Sequence, residues 1–73
     1  MTLEEKEILK ALAWMCEQYI SEGNGYLNHK AMYAGELAVE VLAAYGLVEP
    51  APLGGRWTNK GMLLLDDSSG FSF

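Results

Sequence analysis

"AAYGLVEPAPLGGRWTNKGMLLLD", from Ala43 to Asp66, is the stretch whose reading decides the fold. Ala43 to Tyr45 close a helix, and Gly46 stands where a C′ glycine ends one. "LVEP" (Leu47 to Pro50) is short and apolar enough to start a strand. "APLGG" supplies turn residues, and "RWT" (Arg56 to Thr58) returns antiparallel, which makes a β-hairpin over 47–58. Within "RWT" the alternation places Arg56 out, Trp57 in and Thr58 out. Thr58 then caps a short helix over 59–66, with Leu63, Leu64 and Leu65 expected in the core.

Upstream, Thr2 followed by Glu5 three residues later forms a capping-box pattern that opens a helix over 3–21. At ~100° per residue, Ile8, Leu9, Leu12, Met15, Cys16, Tyr19 and Ile20 share one face. Glu7, Lys10, Trp14, Glu17 and Gln18 share the opposite one. "SEGNGY" (Ser21 to Tyr26) ends the helix with turn glycines. Asn28 is the expected N-cap of a second helix, or a pair of helices divided at Gly35, over 29–45. In its second half Leu37, Ala38, Val41, Leu42, Ala44 and Tyr45 share a face opposite Glu36, Glu40 and Ala43. The expected class is α+β, mostly α: one domain over 1–66, followed by a loose tail over 67–73.

The residues "ELAVEVLAAYGLVEP" followed by "GGRWTNKGMLLL" resemble the winged helix-turn-helix superfamily. The segment Thr58, Lys60, Gly61, Leu64 and Leu65 is similar to the one that opens the last helix of such proteins. The likeness covers about Leu37 to Leu65. It implies a reading helix laid in the DNA major groove and a wing on the backbone. Carried onto this chain, that helix offers Glu36, Val39, Glu40 and Ala43 outward, and has no Lys, Arg, Asn or Gln between Gly35 and Gly46. Base reading uses those four side-chain types, and affinity rests largely on neutralising phosphates. Lys30, Arg56 and Lys60 are the candidate DNA contacts, three cations against a net charge of −5.

The charge has a direction. Met1 to Pro50 carries eight glutamates against Lys6, Lys10 and Lys30, while Arg56 and Lys60 offset Asp66 and Asp67 downstream. An acidic helical half repels nucleic acid and steers toward basic surfaces. Glu36 and Glu40, with Glu17, are therefore candidate contacts to a partner protein's nucleic-acid groove, set against the alternative of a solvated face. Trp14 is the candidate hydrophobic anchor. Coverage by Phe71 or Phe73 of the tail, or by a second copy in a homodimer, is the alternative.

Trp57 reads as packing, Cys16 as inert core, and His29 as a surface or capping residue without a catalytic partner. One His and one Cys make no zinc site at this spacing, and "GNG" and "GG" lack the Lys-Ser/Thr of a phosphate loop. No catalytic constellation, metal or cofactor is expected. The charged start "MTLEEKEILK", the absence of a membrane-length apolar run and the single cysteine lead to an expectation of a cytoplasmic protein.

The functional expectation is a small acidic protein-binding module, an inhibitor or adaptor docked on a basic surface. Anti-CRISPR proteins of phage offer an analogy of size and charge. The alternative is a dimeric winged-helix transcriptional regulator.

Overall fold

The computed structural model describes residues 2–30 and 32–66, so the expected tail over 67–73 lies outside the described residues. Helix α1 spans Leu3–Ile20. Its capping box forms in both directions: Glu5 N donates to Thr2 Oγ1 at 3.0 Å, and Thr2 N donates to Glu5 Oε1 at 3.1 Å. Strand β1 (Tyr26–Asn28) follows, then helix α2 (Tyr33–Ala44), the hairpin strands β2 (Val48–Ala51) and β3 (Gly54–Trp57), and helix α3 (Asn59–Asp66). The fold is a small α+β domain of three helices packed with one antiparallel sheet, in the strand order β1-β3-β2.

The hairpin matches its expectation with one shift. "GG" belongs to central strand β3 rather than to the turn, and Gly55 pairs with both Leu27 of β1 and Pro50 of β2. Pro50 lies on the edge strand β2, the place in a sheet that tolerates its missing N–H. Trp57 is buried and Arg56 exposed, as the alternation requires. Thr58 caps α3 by accepting from Gly61 N at 3.1 Å, and its hydroxyl donates to the Gly46 carbonyl at 2.7 Å, which ties α3 to the end of α2.

The region after α1 departs from the expectation. Asn28 does not cap a helix at His29: it ends β1, and its Oδ1 accepts from Lys30 N at 3.0 Å in a tight turn. Three residues are too few for a period-two pattern to show in sequence, and β1 exists because β3 offers it an edge. Helix α2 starts only at Tyr33, after Lys30 at φ 43°, and it is one helix rather than a pair. Gly35 sits in its first turn where a Cβ would come within 2.9 Å of the His29 Cβ. The glycine therefore lets the incoming loop pass close, and does not break the helix. His29 is buried rather than on the surface, with Nδ1 3.3 Å from the Lys30 carbonyl.

The core holds Leu9, Ala13, Cys16, Ile20, Leu27, Val39, Leu42, Leu47, Val48 and Trp57. Around α1 it is rotated from the expected face. Ile8, Met15 and Tyr19 are 67 %, 57 % and 72 % exposed, whereas Lys10, placed outward by the periodicity, is 2 % exposed. The cause is crowding on one side, since α1 packs against α2, β1 and α3 together, and the arc they cover is centred on Ala13. On α2, Val39 points to the core instead of outward, while Leu37 and Val41 are exposed. On α3, Leu64 and Leu65 pack against the core and Leu63 does not.

Candidate protein-interaction surface

Glu36 and Glu40 are one helical turn apart on α2, so their side chains stand side by side. Both are exposed, and both line a cleft of about 300 Å³ between α2 and the hairpin, with Pro50 and Pro52 on its far side. The fold thus gathers two of the four residues expected to meet a partner.

The other two lie on α1 and do not line that cleft. Trp14 is 38 % exposed, a partly covered ring rather than a fully presented anchor. Glu17 is half-buried and turned inward. Its Oε2 accepts the indole Nε1–H of Trp57 at 2.8 Å, and its Oε1 accepts the Ser21 hydroxyl at 3.2 Å. That carboxylate satisfies a buried donor, so its first role is structural.

The three candidate DNA contacts sit on separate elements. Arg56 on β3 faces Glu49 on β2 across the hairpin, Nη2 to Oε2 at 3.5 Å, in register with it. The Lys60 ammonium donates to the Tyr45 carbonyl at 3.2 Å and so caps the end of α2. Lys30 is exposed in the turn after β1. Two of the three cations are therefore already engaged, one of them by an opposite charge.

A second surface was not foreseen from the sequence. Beside Met15 and Tyr19 runs an open groove of about 260 Å³, lined from α1 by Leu12, Cys16 and Ile20, from α2 by Ala34, Gly35 and Ala38, and by Met32 just before α2. Its signal in the sequence is the width of α1's apolar stripe, which exceeds what one packing side can cover. Cys16 lines this groove, and burial pushes its thiol up to about 11, which leaves it protonated and unreactive at neutral pH.

Far from the groove's mouth, the start of α1 is fastened to the end of α2. The Tyr45 hydroxyl donates to Glu5 Oε2 at 2.9 Å. The Glu5 carboxyl lies below its ordinary value, first because it accepts the Thr2 backbone N–H and then because it accepts from Tyr45. The Tyr45 hydroxyl is correspondingly raised by Glu5.

Among the described residues there is no cluster of three or more His, Cys, Asp or Glu able to hold a metal ion. None of the helices there is long and apolar enough to cross a membrane. Comparison with protein-family models, curated proteins and solved structures finds no match for this chain.

Proposed function

We propose that this chain is a winged-helix-like, acidic protein-binding module that docks through α2 on a basic, nucleic-acid-binding surface of another protein, as an inhibitor or adaptor. The observation that carries the reading is the placement of Glu36 and Glu40. They stand together and exposed on the helix that corresponds, in the winged-helix likeness, to the reading helix. Two carboxylates at helical spacing match arginines and lysines arranged for a phosphate backbone. In the sharpest form of this reading the partner is a nuclease whose groove the domain fills, in the manner of phage anti-CRISPR proteins.

The dimeric DNA-binding regulator is the weaker reading. Arg56 faces Glu49 and Lys60 caps α2, so among the described residues the candidate basic edge retains Lys30 as its exposed cation outside such a contact.

The test is capture of partners on the immobilised domain, with and without excess duplex DNA, beside a Glu36→Lys/Glu40→Lys variant. A nucleic-acid-handling protein should be retained, released by the DNA, and bound about tenfold or more weakly by the variant, equivalent to ~1.4 kcal/mol. Circular dichroism should show unchanged helicity, since both positions are exposed. Equal retention by the variant, or retention of the DNA itself, would overturn the reading.

A further inference from the structure

A feature that this reading leaves unused is the apolar face of α1 and α2. Ile8, Met15 and Tyr19 from α1 and Met32, Tyr33 and Leu37 at the start of α2 are each about half to three-quarters exposed. Residues 8, 12, 15 and 19 form one stripe along α1, and Leu12, Met15 and Tyr19 meet Met32 and Ala34 at the groove. Six large side chains at that exposure present apolar area on the order of 800 Å², beyond the ~300–600 Å² patch of a typical monomer. It is also about what each partner buries in a standard stable interface.

We propose that this face is the interface of a homodimer, with a second copy of this chain as its occupant. Charge selects that occupant. The chain carries a net charge of −5, yet no charged residue interrupts the stripe Ile8–Leu12–Met15–Tyr19 or the segment 32–35. Glu36 and Glu40 line a different cleft. A basic partner is attracted by carboxylates, and the lining of the α1–α2 groove offers it none. Two acidic copies, by contrast, associate best where neither places a charge.

Shape points the same way. A two-fold interface must be complementary to itself, with a hollow and a projection on one patch. Here the hollow is the α1–α2 groove, and the projection is Tyr19, 72 % exposed on its rim. The face is distinct from the partly exposed Trp14, which does not line the groove.

Sedimentation velocity of the whole chain over two decades of concentration tests the proposal. The wild-type mass should rise from 8.0 kDa toward twice that value. Met15→Glu/Tyr19→Glu should raise the dissociation constant at least about tenfold, and so should Leu37→Lys on the other helix. All three positions are exposed, so circular dichroism should show a native fold. Trp14→Glu should leave the dimer intact. A wild type that stays monomeric throughout sinks the proposal and leaves the face to a foreign apolar partner. A dimer that survives both interface variants, or one that Trp14→Glu dissolves, also overturns it. These outcomes are independent of partner capture through Glu36 and Glu40.

Discussion

Glu17 shows how one side chain changes its meaning once the fold is known. Helical periodicity places it outward on α1, where a glutamate reads as solvated or as a contact for a basic partner. In the fold it accepts the indole N–H of Trp57, forty residues away, at 2.8 Å. Neither segment contains a signal of that pairing, because it arises only when tertiary packing brings Glu17 of α1 to Trp57 at the end of β3. The same rotation that buries Lys10 brings position 17 to the edge of the core. Removing the acceptor would leave a donor on a buried ring, Trp57 being 5 % exposed. Glu17→Ala should therefore cost about 1–3 kcal/mol. In a domain of this size that lowers the melting temperature by roughly 4–8 °C for each kcal/mol. Glu17→Gln keeps a carbonyl acceptor at the same reach and should lose markedly less. Thermal unfolding followed by near-ultraviolet circular dichroism, which reports on Trp57, separates the two. Equal melting of Ala and Gln variants would mean that the hydrogen bond is not what Glu17 contributes.

At the scale of elements, legibility followed length and local chemistry. Helix α1, the hairpin and α3 carry caps and turn residues within their own segments, and each was placed within about one residue. Strand β1 depends on an edge offered by β3, and a three-residue strand has no pattern of its own; α2 starts later than expected because β1 and its turn occupy the residues before it. Which face of each helix is buried was the least legible feature, since α1 has more apolar positions than its neighbours can cover. Gly61 is a position that sequence read for one reason and structure explains by another. Its place in the "T-x-KG" segment marks the opening of α3. In the fold it is buried against the Leu47 carbonyl, and a Cβ there would also come within 2.9 Å of Trp57 Cε3. The obstacle is backbone, which does not yield as a side-chain tip would. Gly61→Ala should therefore push α3 off the hairpin and destabilise the domain by about 1–3 kcal/mol or more, although alanine is the better helix former. Met62→Ala, at an exposed neighbour, is the control and should be nearly neutral. Denaturant titration of the pair gives the answer, and a Gly61→Ala variant as stable as the wild type would show that α3 does not need this approach.

At the scale of the molecule, the acidic cleft beside α2 and the uncharged groove between α1 and α2 are lined by different residues, and each reading of the protein uses one of them. The acidic pair on α2 was visible as a sequence pattern because charge and helical spacing are local properties. The uncharged α1–α2 face was not, because exposure is decided by which neighbours fail to arrive. The two surfaces should respond to salt with opposite signs. The Debye length falls from about 30 Å at 0.01 M to about 8 Å at 0.15 M ionic strength. Over that range a complex held by Glu36 and Glu40 against arginines and lysines loses part of its attraction. Its dissociation constant should rise severalfold, mostly through slower association. Dimerisation brings together two copies that each carry a net charge of −5. Screening weakens that mutual repulsion and leaves apolar burial intact, so the dimer's dissociation constant should fall or hold steady. Sedimentation at both ionic strengths, beside binding of the captured partner, measures both responses on the same protein. If the dimer weakens with salt as the partner complex does, charged pairs hold it together, and the uncharged α1–α2 face is not its interface.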